Sequence, residues 1–203
     1  MRIVVALGGN ALLRRGEKPD AAIQLDHIRS AATALAPLAN EHELLICHGN
    51  GPQIGMLALE SENDPALTRS YPMDVLVAQT QGMIGYWLVQ SLANAGVTKP
   101  VLGVITQTVV DPADPAFLHP TKFVGPNYTE QRARQLAAQH SWEIAQDGST
   151  WRRVVPSTAP LRIVEQHIIT ALLERQVVLV CAGGAGIPVT DRPGIPAPSK
   201  SPQ

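Results

Sequence analysis

Residues 3–10 read IVVALGGN: five apolar residues in a row, then two glycines and an asparagine. A short apolar run without polar alternation predicts a strand covered on both faces, as in a parallel sheet. The pattern returns at residues 43–51, ELLICHGNG, and again at residues 177–186, VVLVCAGGAG. Between the first two, residues 20–39 predict a helix. Ile23, Ile28, Ala31, Ala34, Leu35 and Leu38 fall on a helical period there, and Asp20 is placed to cap it. A further helix is expected from Pro52, which suits a first helical turn. Residues 73–95 predict a long helix closed by Gly96, and residues 100–106 a third buried strand. Strand and helix alternate, which predicts an α/β layered sheet.

The alternation breaks after Val110. Residues 111–128 hold four prolines (Pro112, Pro115, Pro120 and Pro126) and little periodicity. A short helix over 129–139 and a strand pair at 142–144 and 151–155 follow. Residues 111–156 are therefore expected to form an insert that projects from the sheet. A helix over 161–174 and a strand over 177–181 restore the pattern. From residue 187 onward the chain is rich in proline and has no apolar period. The lack of period makes residues 187–203 read as a disordered tail, and the bounds drawn are one domain over residues 1–190 and a disordered tail over residues 191–203.

Composition excludes several classes. The 203 residues carry 16 Lys+Arg against 17 Asp+Glu, a net charge of −1, so a strongly basic nucleic-acid binder is not expected. The three tryptophans are too scattered for a base-stacking platform. No apolar run reaches the 18 or so residues that span a bilayer, and the N-terminus lacks the features of a signal peptide. Neither membrane nor nucleic acid is expected as a partner. Cys47 and Cys181 lie far apart in strand-like runs and are expected to be reduced thiols of a cytoplasmic protein. The six histidines show no HxxH or HExxH spacing, so no metal site is expected.

Three glycine-rich turns follow buried strands: Gly8-Gly9-Asn10, Gly49-Asn50-Gly51 and Gly183-Gly184-Ala185-Gly186. In an open parallel sheet, ligands bind beyond the carboxyl ends of the strands. Glycine admits close backbone approach, and free amides at turns and helix starts attract anions. One such turn needs no ligand to explain it. Three on one edge point to a phosphate or carboxylate site. Neither GxxxxGK[ST] nor a complete GxGxxG is present, since Ile54 stands where the third glycine would fall after Gly49-Asn50-Gly51. Asn10 and Asn50 suit either turn geometry or ligand hydrogen bonding. Lys122 reads either as a solvated loop lysine or as an ammonium over a phosphoryl group. Arg152 and Arg153 read as ordinary surface charges.

The ordered set of motifs resembles the carbamate kinases of the amino acid kinase family. It comprises ALGGNAL (6–12), HGNGPQIG (48–55), YPMDV (71–75), QTQGMIGY (79–86), DPAFLHPTKFVGPNY (114–128), RRVVPS (152–157), Ile163-Val164-Glu165 and AGGAGIPV (182–189). The resemblance covers residues 1 to about 190. It implies a three-layer α/β/α sandwich around an open, mainly parallel sheet, with a protruding insert. It also implies reversible phosphoryl transfer between carbamoyl phosphate and ADP, giving ATP and carbamate, in cytoplasmic arginine breakdown by a homodimer. Gly8, Gly9, Asn10, Gly49, Asn50 and Gly51 would line the carbamate and phosphoryl site. Lys122 would reach over it from the insert. Catalysis would fall to Lys122, Asn10 and Gly9, and Gly183, Gly184 and Gly186 would lie beside the nucleotide phosphates. Mg²⁺ would arrive on ATP or ADP.

The family pattern continues with AVIDKD-like and GSMGPK-like segments that do not occur in this sequence, so the chain is expected to be truncated in its nucleotide part. Phe123 and Ala185 also depart from the usual residues, and Ala185 is expected to disfavour a positive φ. The alternative is a non-catalytic remnant that binds carbamoyl phosphate or dimerises with a full-length relative.

Overall fold

A computed structural model describes residues 1–14 and 16–190; the expected tail at 191–203 lies outside the described residues. The first sheet holds β1 (Arg2–Leu7), β2 (Glu43–His48), β3 (Val101–Gly103) and β9 (Val178–Val180), in the order β1-β2-β9-β3, all parallel. Its crossovers include α1 (Gly9–Leu12), α2 (Ala21–Glu41), α3 (Gly51–Asn63) and α4 (Met73–Asn94). Strand periodicity sorts the core into two layers. Leu44, Ile46, Val178 and Val180 pack against Ile28, Ala32 and Leu35 of α2 and Ile84, Leu88 and Leu92 of α4. Leu45, Leu179 and Cys181 face the other way, onto Ile169 and Leu173 of α6 (Gln166–Glu174). The result is the α/β/α layering.

That second layer is narrow. α6 has nine residues and covers the centre of the sheet, so Val4 on the edge strand β1 stays 63 % exposed. β1 is thus covered on one face, not on both as its apolar run predicts. The third strand is likewise short: it stops at Gly103, and Leu102 and Ile105 are exposed. Both thiols are free, and burial pushes the Cys181 pKa up to about 11.

Two expectations are corrected by a second sheet, in the order β10-β4-β8: β4 (Gln107–Val110), β8 (Pro160–Ile163) and β10 (Ile187–Val189). Residues 160–163 form an antiparallel strand on β4, so the helix begins only at Gln166. Residues 187–189 are a parallel strand on β4 and not tail, anchored where the Ile187 N–H donates to the Thr106 carbonyl at 2.9 Å. Pro188 is tolerated because β10 is an edge strand.

The third sheet is the projecting part. β5 (Lys122–Tyr128), β6 (Glu143–Asp147) and β7 (Thr150–Val155) form an antiparallel sheet in the order β5-β7-β6, with α5 (Glu130–His140) capped by the Thr129 hydroxyl. It sits on α3 through two contacts. At the first, Gly55 and Gly125 meet backbone to backbone, and a Cβ at Gly55 would fall inside the Gly125 main chain. The second is Glu62, whose Oε1 accepts from Trp142 Nε1 and Arg153 Nη1, both at 3.1 Å. Arg153 also stacks 4.7 Å from the Trp142 ring centre. Arg153 is therefore a half-buried anchor of the insert, not a surface charge.

Candidate active site

β1, β2 and β9 are parallel and in register, so the three glycine turns leave the same edge of the sheet. The turns converge on one cleft of about 400 Å³. Gly9 and Asn10 line it from the first turn, Gly49, Asn50 and Gly51 from the second, and Gly184 and Ala185 from the third. The first two turns touch: a Cβ at Gly49 would stand 3.1 Å from the Gly9 nitrogen. Gly8 lies behind the lining, its carbonyl accepting from Ala11 N at 2.9 Å. Gly183 is buried beneath His48, and Gly186 faces a neighbouring, largely apolar cavity of about 450 Å³. The cleft thus collects seven of the ten residues singled out from the sequence, Lys122 included, and leaves Gly8, Gly183 and Gly186 outside its lining.

Lys122 reaches in from β5. Its ammonium donates to the Gly184 carbonyl at 3.2 Å, and burial holds its pKa below the usual lysine value. An ammonium has three donors, so two remain for an anion. Arg152, read from the sequence as a surface charge, also lines the cleft. Its Nε and Nη2 donate to the Gly125 carbonyl at 3.2 and 2.9 Å, and its Nη1 pairs with Asp147 Oδ2 at 3.1 Å. Among the described residues, no carboxylate lines the cleft. With two cations and amides at two helix starts, the lining fits an anion.

The third turn is held from below by residues that periodicity alone hides. The Gln81 amide grips Thr106: Thr106 N donates to Gln81 Oε1 at 2.8 Å, and Gln81 Nε2 donates to the Thr106 carbonyl at 3.1 Å. Thr106 Oγ1 then accepts from Ala182 N at 2.8 Å, and Thr108 Oγ1 donates to the Ala185 carbonyl at 2.7 Å. This frame keeps Ala182, Gly184, Ala185 and Gly186 all at positive φ. Ala185 sits at φ +75° in spite of its Cβ, contrary to the expectation that alanine avoids this region. The exchange Ala185→Gly would relieve about 1–2 kcal/mol of left-handed strain and return about 0.4–1 kcal/mol through a freer unfolded chain. A gain of about 1 kcal/mol is expected, read as a rise of roughly 2–4 °C in Tm; a fall in Tm would show that the turn is not strained.

His48 is buried against Gly183, with Nδ1 2.9 Å from the Gly49 carbonyl. Burial pushes its pKa below the usual 6.5, and that hydrogen bond pulls the other way. The neutral ring is favoured in the folded state, so the unfolded chain takes up the proton first as pH falls. The stabilisation is complete above pH 6.5 and is lost as pH drops through the lowered folded value. Urea midpoints between about pH 7.5 and 5 should therefore fall less steeply for His48→Asn, whose amide can replace Nδ1, than for the wild type. Parallel profiles would mean that His48 does not titrate in that range.

A profile of the amino acid kinase family matches residues 1–196. The chain belongs to the amino acid kinase family. Within that family it is 50 % identical over 190 residues to the carbamate kinase of Rhizobium meliloti (strain 1021), covering 93 % of this chain and 58 % of that protein. The solved carbamate kinase of Giardia lamblia bound to citric acid superposes with a TM-score of 0.88 at 36 % identity, over 96 % of this chain and 65 % of the other. The same enzyme bound to AMP-PNP gives 0.79 at 36 % identity, over 96 % and 64 %. This amino acid kinase chain spans about three fifths of the length of the curated relatives it matches.

The functional residues overlooked in the sequence are Arg152, which lines the cleft itself, Thr80, Gln81, Thr106 and Thr108, which hold its turns from behind, and Glu62, which holds the third sheet on α3. The signal for Thr80 and Gln81 was present, as two polar residues on an otherwise apolar helix face between Val77 and Ile84, all buried. Nothing local marks Arg152 or Glu62. Their places depend on how the third sheet folds back over α3.

Proposed function

We propose that this chain carries the carbamoyl phosphate cleft of a carbamate kinase, which transfers a phosphoryl group reversibly between carbamoyl phosphate and ADP to give ATP and carbamate. The observation that carries the reading is the convergence of Asn10, Asn50, Gly184 and Lys122 on one cleft, which no carboxylate of the described residues lines. Half-identity to a carbamate kinase over 93 % of the chain supports it. Phosphoryl transfer needs in-line placement and neutralised oxygens more than covalent help. Turn amides supply hydrogen bonds, and Lys122 supplies charge where it develops. Carbamate oxygen is already anionic, so no general base is required.

In this reading Gly9, Asn10 and Lys122 act on the transferring group, and Gly184 approaches the nucleotide phosphates. A nucleotide is supported by the AMP-PNP complex of the Giardia lamblia enzyme. Mg²⁺ enters with the nucleotide, since among the described residues the lining offers it no carboxylate. Residues 111–156 serve as the arm that brings Lys122 over the site. The setting is cytoplasmic arginine breakdown and the assembly a homodimer. Among the described residues, no helix is long and apolar enough to cross a membrane.

Two readouts on the 203-residue chain test the proposal: thermal shift with carbamoyl phosphate, and a coupled assay for ATP from ADP and carbamoyl phosphate. A saturable rise in Tm is expected, and ATP formation separates turnover from binding alone. Folded protein that shows neither would overturn the reading.

A further inference from the structure

Asn50 is 1 % exposed and lies at the start of α3, inside the cleft. Its amide orientation is set by chemistry. The Thr80 hydroxyl donates to the Val77 carbonyl at 2.9 Å, so its proton is committed within α4. Toward Asn50, therefore, Thr80 Oγ1 can only accept. The group that meets it at 2.9 Å must be the Asn50 NH₂. Asn50 Oδ1 is left as a buried acceptor with no partner. Such a group costs free energy unless something supplies a donor. A Cβ at Gly184 would overlap this amide, so the third turn packs directly on it.

Resting on the carbamoyl phosphate reading above, we infer that Asn50 Oδ1 accepts a hydrogen bond from the ligand's amino group, with Thr80 holding the amide in the orientation that makes this possible. Phosphate and carboxylate oxygens are acceptors and gain nothing from Oδ1. An amino group does. The same cleft therefore carries two readers of opposite sense: amides and cations for the phosphoryl end, and one bare carbonyl oxygen for the nitrogen end. An acyl phosphate with a methyl group in place of the amino group fills the same space and leaves Oδ1 unpaired. A site built around a hydrogen bond rejects such an analogue far better than a merely shaped pocket does. Asn50 is thus the specificity determinant, and Thr80 a positioning residue.

The test is isothermal titration of the 203-residue chain with three probes: carbamoyl phosphate, acetyl phosphate and inorganic phosphate. The wild type is expected to bind carbamoyl phosphate at least about tenfold more tightly than acetyl phosphate. Asn50→Leu, similar in shape, should bring the two within about threefold of each other. Thr80→Val should shrink the preference while leaving the affinity for inorganic phosphate unchanged, and Thr80→Ser should keep the preference. Loss of packing alone would weaken all three probes together. If Asn50→Leu does not fold, the Thr80 pair decides. Equal wild-type affinity for carbamoyl and acetyl phosphate, or a preference that survives Asn50→Leu or Thr80→Val, would overturn the inference while sparing the reading beneath it. Failure of the wild type to bind any of the three probes would remove both.

Discussion

Gly55→Ala is expected to lose about 3 kcal/mol or more of stability, and with it the binding of any phosphoryl ligand. Where α3 crosses β5, Gly55 faces the Gly125 backbone so closely that a methyl group has no space. The obstacle is main chain, which cannot swing aside as a side chain would. Relief requires the third sheet to lift off α3. Lys122 stands three residues from Gly125 on the same strand, so lifting the sheet withdraws the ammonium from Gly184. The reciprocal change should be milder. A Cβ at Gly125 would meet Gly55 at an ordinary 3.4 Å, so Gly125→Ala faces mainly the cost of φ +75°, about 1–2 kcal/mol. Urea unfolding of both variants checks this order. Equal stabilities, or a Gly55→Ala protein as stable as wild type, would show that the crossing is looser than described.

Lys122→Ala should reduce carbamoyl phosphate affinity by roughly 10- to 100-fold, the usual value of a charge-assisted hydrogen bond. Where turnover is measurable, the rate should fall on the order of 10²–10³-fold. Lys122 is the cation whose ammonium touches the third turn, whereas Arg152 already spends its guanidinium on Gly125 and Asp147. Lys122→Arg restores charge but not the compact ammonium and should recover only part of the loss. Calorimetric titration reads this directly. An affinity unchanged in Lys122→Ala would mean that the lysine is simply packed against the turn.

The strands that carry the turns were legible because each is a short apolar run stopped by glycine, and β1, β2 and β9 lie where residues 3–7, 43–47 and 177–181 place them, within a residue or two. What a single segment cannot show is its partner. Residues 160–163 and 187–189 are strands only because β4 lies between them, and nothing in PLRI or IPV distinguishes that outcome from a helix start or a tail. Coverage also escaped the reading: an apolar β1 lies at a sheet edge with Val4 exposed. The cleft followed from topology, because parallel strands in register must deliver their turns to one edge. Its supporting residues and Arg152 did not. Thr80 and Gln81 could be found as polar intruders in an apolar helix, whereas Glu62 and Arg152 acquire their roles only once the insert folds back. Ala185 shows the limit of residue preference: a turn pinned by Thr106 and Thr108 holds alanine at a positive φ that propensity alone disfavours.

Amide NMR of the ¹⁵N-labelled chain, titrated with carbamoyl phosphate, puts the whole reading at risk in one experiment. Saturable shifts should concentrate on the backbone amides of Gly9, Gly51 and Gly184 and on the side-chain amide of Asn50, with the rest of the sheet unmoved. Shifts confined to other surfaces, or none at any ligand concentration reached, would contradict the convergence of the three turns on one anionic ligand.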